Sequence, residues 1–154
     1  MKIAVVMDPI SKIDFKKDST LLLIYEAQKR NHDVFYIESN NLFFDGKEAC
    51  ALSSKIKVKM DRENWFSLED TNKIFLKDLD VIFMRQDPPF DMGYINNTYV
   101  LDSAEKGGVK IYNKPSALRN FNEKISILEY SKFCTETIIA SEKKLILNFI
   151  QQHK

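Results

Sequence analysis

Short Val- and Ile-rich runs, each followed by a helical period, predict an α/β domain on a largely parallel sheet. Three observations carry this expectation. Lys2–Met7 and Asp80–Met84 are apolar runs of strand length, closed by Asp8-Pro9 and by Arg85-Gln86-Asp87-Pro88-Pro89. Capped helical patterns follow both runs. The 154 residues are 44% apolar with four glycines and four prolines, a composition that excludes disorder and suits one domain with a real core.

The elements follow in order. Lys2–Met7 reads as a buried strand, and residues 10–17 as a loop. Asp18 and Ser19 cap a helix that runs to about Arg30, with Thr20, Leu23, Ile24 and Ala27 on its packing face. Asn31 supplies a left-handed stop. Val34–Ile37 is the next strand and completes a βαβ unit. Leu42-Phe43-Phe44 and residues 49–60 flank Asp45-Gly46, a hairpin signal. Ile56, Val58 and Met60 alternate with Lys55, Lys57 and Lys59, which marks a half-exposed antiparallel arm. The lysines read as protection of a solvated edge rather than as an anion site. Trp65 and Phe66 read as core or hinge packing.

Asp80–Met84 is the second central strand. Asp91 caps a helix over 92–106 that Gly107-Gly108 ends. Residues 109–112 form a further strand, and Pro115 opens a short helix. A second helical piece spans about 122–132. Glu136–Ala140 is a strand candidate, and residues 141–152 form an amphipathic helix with Leu145, Ile146, Phe149 and Ile150 on one face. A strand and a helix cannot bury both apolar faces alone. The tail from Thr135 is therefore expected to need a partner subdomain.

Charge excludes several functions. With 23 basic and 22 acidic residues, the net charge of +1 gives no electrostatic case for nucleic acid or a polybasic membrane contact. No apolar run has signal-peptide or bilayer-spanning length, so a cytoplasmic protein is expected. Cys50 and Cys134 form no zinc spacing and read as small apolar side chains in a reducing compartment. Four scattered glycines make no phosphate-cradling loop, His32 and His153 are isolated, and no nucleophile elbow appears.

Ligands of open α/β sheets bind outside the carboxyl ends of the strands. Three such ends carry polar residues next to stiff prolines: Asp8, then Arg85 and Asp87, then Asn113 and Lys114. Arg85 is one of four arginines and directly follows a buried strand. Its guanidinium either grips a substrate carboxylate bidentately or pairs internally with Asp87 or Asp8. Asp8 and Asp87 either hold ligand or satisfy turn N–H groups.

Ordered blocks along nearly the whole chain resemble the bacterial glutathione synthetase family. They are Val6-Met7-Asp8-Pro9-Ile10, Lys16-Lys17-Asp18-Ser19, Glu26-Ala27-Gln28, Trp65-Phe66-Ser67 and Met84-Arg85-Gln86-Asp87-Pro88-Pro89-Phe90-Asp91. Asn113-Lys114-Pro115, Leu118-Arg119 and Asn122-Glu123-Lys124 complete the set. The resemblance implies a Rossmann-like pre-ATP-grasp substrate domain over 1–121, with a mainly parallel sheet and a β-hairpin arm. It implies the start of an ATP-grasp lid, truncated, over 122–154. It further implies an ATP- and Mg²⁺-dependent ligase that joins γ-glutamylcysteine to glycine through an acyl phosphate. Lys124 is then the nucleotide-binding residue. Arg85, Asp8, Asp87 and Lys114 become substrate-side residues. Catalytic and metal-binding residues are expected beyond this stretch, so the chain alone is expected to be inactive. The family commonly assembles as a tetramer, and the missing C-terminal half is the other expected partner. Two alternatives are half of a split ligase and a non-catalytic module that binds small peptides or carboxylates at Arg85.

Overall fold

The computed structural model describes residues 1–122 and 124–153. They fall into two compact units, Met1–Arg119 and Asn120–Lys154.

The first unit holds eight strands and three helices: β1 (Lys2–Met7), α1 (Ser19–Lys29), β2 (Asp33–Glu38), β3 (Leu42–Phe44), β4 (Ala49–Val58), β5 (Phe66–Leu68), β6 (Asn72–Phe75), β7 (Val81–Met84), α2 (Met92–Lys106), β8 (Lys110–Tyr112) and α3 (Pro115–Asn120), whose last residue opens the second unit. A 3₁₀ turn over Ile10–Lys12 occupies part of the expected loop.

The strand order is β3-β4-β2-β1-β7-β8. Strands β2, β1, β7 and β8 run parallel, and β4 joins β2 antiparallel at Phe35–Lys55 and Tyr36–Ser54. The sheet is therefore mixed, which corrects the mainly parallel expectation. The hairpin is not a separate arm either. β4 also pairs with β3, β5 and β6, so it is an internal strand and its lysines do not guard an edge. The cause lies in its other face, where Ile56 and Val58 are only 3% exposed, too valuable as core to leave on a solvated ribbon.

Period-two alternation along β1 feeds two cores. Ala4 and Val6 face one side with Ile82, Met84, Tyr94, Leu101, Ala104 and Ile111, beneath α2. Ile3, Val5 and Met7 face the other with Leu21, Ile24 and Ala27 of α1, and Trp65 and Phe66 close that side. Leu21 takes the buried place expected of Leu23, which is 40% exposed. The caps fall where expected. Asp18 accepts from the Thr20 and Leu21 N–H groups, Asp91 accepts from Tyr94 N–H, and Asn31 has φ 58°. Arg119 fixes α3 to α2. It donates to Thr98 Oγ1 at 2.8 Å, pairs with Asp102 at 2.5 Å and lies 4.6 Å from the Tyr99 ring centre.

In the second unit, a 3₁₀ segment over Ile125–Phe133, kinked at Tyr130, precedes α4 (Lys143–Gln152). The expected strand at Glu136–Ala140 is absent there; those residues follow an irregular path. Leu145, Ile146 and Ile150 on α4 are exposed. Among the described residues, no helix is long and apolar enough to cross a membrane.

Candidate functional site

The carboxyl ends of β1 and β7 meet because the two strands pair in parallel register, Val6 beside Met84. The ladder continues one step past β7, with Arg85 N–H donating to Val6 C=O at 2.7 Å. Asp87 N–H then donates to Asp8 Oδ2 at 2.9 Å, so the two turns are tied directly to each other. On the far side of β7, Asn113 Nδ2 donates to Met84 C=O at 3.2 Å. Asp8, Arg85, Asp87 and Asn113 thus share one rim. The Pro88–Pro89 peptide beside them is cis, as is Tyr112–Asn113.

Arg85 crosses to the start of α1. Its Nη2 donates to Ser19 Oγ at 2.9 Å and its Nε to Thr20 Oγ1 at 3.2 Å. These partners are neutral hydroxyls. Among the described residues Arg85 forms no ion pair, so the internal bridge to Asp8 or Asp87 is not what this sequence builds. Two hydroxyls hold the guanidinium in place, and among the described residues no carboxylate is paired with its charge.

Two buried tyrosines back the rim. Tyr36, on β2, accepts from Ile10 N–H at 3.1 Å and donates to Glu38 Oε1 at 2.9 Å. Burial pushes its phenol well above the ordinary tyrosine range. Tyr94, on α2, is pushed up by burial and then by the carboxylates of Asp87 and Asp8. Both phenols therefore stay protonated beside the acidic pair. Sequence reasoning missed them, and it missed Ser19 and Thr20 as holders of Arg85. The only signal available was that Tyr36 and Tyr94 interrupt apolar positions with a hydroxyl.

A cleft of about 420 Å³ opens at this rim, lined by Asp8, Lys12, Asp14, Lys17, Asp18 and Asp87 with Ile13. Lys114 does not join it by contact; its Nζ lies 3.7 Å from Glu105 Oε1 near the end of α2. Lys124 belongs to the second unit. It is exposed, and Asn122 Oδ1 accepts from its N–H at 3.0 Å and from that of Ile125 at 3.2 Å.

The first unit is thus an α/β domain with polar turns gathered at the carboxyl ends of adjacent parallel strands. Residues 1–119 match the family described as prokaryotic glutathione synthetase, N-terminal domain, and the chain belongs to that family. It is 45% identical over 149 residues to the glutathione synthetase of Wigglesworthia glossinidia brevipalpis, covering 97% of this chain and 47% of that protein. It is 40% identical over 153 residues to the glutathione synthetases of Yersinia pestis and of Escherichia coli K12, covering 99% of this chain and 48% of each. The chain therefore spans about half the length of these relatives and corresponds to the N-terminal portion of glutathione synthetase.

Proposed function

We infer that this chain supplies the substrate side of an ATP-dependent ligase that joins γ-glutamylcysteine to glycine through an acyl phosphate. In this reading residues 1–121 are a Rossmann-like pre-ATP-grasp domain, and 122–154 begin the ATP-grasp lid. The observation that carries it is the shared rim, where Arg85, held by Ser19 and Thr20, stands next to the tied pair Asp8 and Asp87. An uncompensated guanidinium is suited to a peptide carboxylate. The rigid prolines keep the polar turns in place, so little order is lost on binding. Lys114 is a more distant neighbour on the same reading.

ATP and Mg²⁺ belong to the activity of the whole ligase. Transfer of the terminal phosphoryl group of ATP to the cysteinyl carboxylate would release ADP and form the acyl phosphate, and attack by the glycine amine would form the amide and expel inorganic phosphate. Lys124 is the residue of this chain assigned to the nucleotide, where a mobile ammonium suits phosphate oxygens or an adenine acceptor. Among the described residues, no three His, Cys, Asp or Glu side chains are grouped to hold a metal ion. On this reading the chain's part is to bind and orient substrate in the cytoplasm, with a homo-oligomer or the C-terminal half of the ligase as its partner.

Calorimetric titration of the chain with γ-glutamylcysteine tests the reading. Saturable binding is expected, weakened about tenfold by Arg85→Ala, the scale of one charge-assisted hydrogen bond. Absence of saturable binding, or an unchanged affinity in the variant, would overturn it.

A further inference from the structure

One side of the sheet is covered unevenly. On that side α1 packs over β2 and β4, while Val81 and Phe83 of β7 are only partly buried at the margin of the core. Tyr112 of β8 stands beside Phe83 in the parallel register, with ring centres 5.9 Å apart, and is 55% exposed. Thr20 meets Arg85 at the end of β7, and Leu23, one turn on, continues that flank of α1. Leu22 and Leu23 are both exposed. Two leucines thus stand beside a bare aromatic strip. Elsewhere in the sheet exposed aromatic rings are screened. Lys73 Nζ lies 5.5 Å and 5.3 Å from the ring centres of Phe43 and Phe75 and pairs with Asp45, so its stem covers apolar surface while its charge is met. Among the described residues, no cation lies over Phe83 or Tyr112.

The charges of α1 match a reversed copy of the same helix. Asp18 precedes it and Arg30 follows it, equally far from Ile24. Among the described residues Asp18 forms no ion pair, and Arg30 reaches only Glu26, at 3.8 Å. A two-fold axis near the middle of the helix would set Asp18 of one copy against Arg30 of the other, twice, and bring the leucines of both copies together. A surface that carries both the apolar ridge and the strip beside it, and both signs of charge in this order, is complementary to itself. We propose that the outward face of α1, with Phe83 and Tyr112 beside it, is a two-fold interface between two copies of this chain. The proposal gives the homo-oligomer of the reading above a face and rests on that part of the reading alone.

Sedimentation velocity of the chain over a concentration series tests this. A reversible dimer is expected. Leu22→Lys is expected to weaken it about a hundredfold, because symmetry removes two buried leucines at once. Arg30→Glu is expected to weaken it about tenfold at low salt and to invert the salt dependence: added salt loosens the parent dimer and tightens that of the variant. Ile146→Lys, on the exposed face of α4, is expected to leave the dimer unchanged. Circular dichroism confirms that each variant folds; should Leu22→Lys not fold, Leu22→Ser replaces it, with the same expected direction. A monomeric parent would assign the face to another polypeptide, the C-terminal half of the ligase included, and overturn the proposal. So would a dimer that Leu22→Lys leaves intact, whatever Ile146→Lys does. Binding of γ-glutamylcysteine is titrated separately; its absence overturns the substrate reading and leaves the interface standing.

Discussion

Tyr36 shows how one hydroxyl can tie a rim together. Its phenol accepts the Ile10 N–H and donates to Glu38, and thereby joins the turn after β1 to the end of β2. Tyr36→Phe leaves a buried N–H without an acceptor and is expected to cost about 1–3 kcal/mol, read from urea unfolding. The same residue sets an alkaline limit. Burial raises its folded pKa, so its contribution is complete below the ordinary tyrosine value and is lost as pH rises above about 10, where the unfolded chain ionises first. Unfolding midpoints measured from pH 8 to 11 are expected to fall less steeply in Tyr36→Phe than in the parent. Arg85 was conspicuous in the sequence because arginine is scarce and follows an apolar run. Its hydroxyl partners were not legible, since Ser19 and Thr20 lie 66 and 65 positions away and local pattern marks them only as helix-start residues.

Elements defined by their own chemistry were readable. α1 and α2 carry a capping aspartate at one end and a stop at the other, and both form where those signals stand. The β3–β4 turn is marked locally by Asp45-Gly46, although one partner of Asp45 comes from β6. Asp45 accepts from the Lys47 and Glu48 N–H groups and from Lys73 Nζ at 2.8 Å. Lys73, and then these N–H groups, hold its carboxyl well below the usual carboxylate range. A depressed carboxylate contributes above its unfolded pKa and loses that contribution as pH falls below about 4. Asp45→Asn is therefore expected to flatten the acid limb of stability between pH 5 and 2, measured by denaturant midpoints. What pattern could not show was the place of β4 in the sheet. Alternation of Ile56 and Val58 with lysines states which face is buried, but not how many strands lie alongside. β5 and β6 escaped notice for the same reason: each is three or four residues long, mostly exposed, and exists through its pairing with β4.

At the scale of the molecule, stability is concentrated in Met1–Arg119. Both cores lie there, while no described residue beyond it is fully buried. Residues 1–119 expressed alone are expected to melt cooperatively within a few degrees of the 154-residue chain, by circular dichroism; loss of the transition would contradict this assignment of the core. The sequence showed the α/β class and the strand ends that hold the rim. It could not show the mixed sheet, because antiparallel attachment through β4 depends on residues far apart in the chain. The order of the strands has a further consequence. β1 lies in the middle of the sheet, yet Ile3 finds its neighbour on one side only at Val81. On a ribosome that adds roughly 5–20 residues per second, the first strand made waits several seconds with an open, apolar flank. α1 and β2 cover a face and the opposite edge of β1, so that flank stays bare until β7 is made, a transient unpaired edge of the kind that invites aggregation.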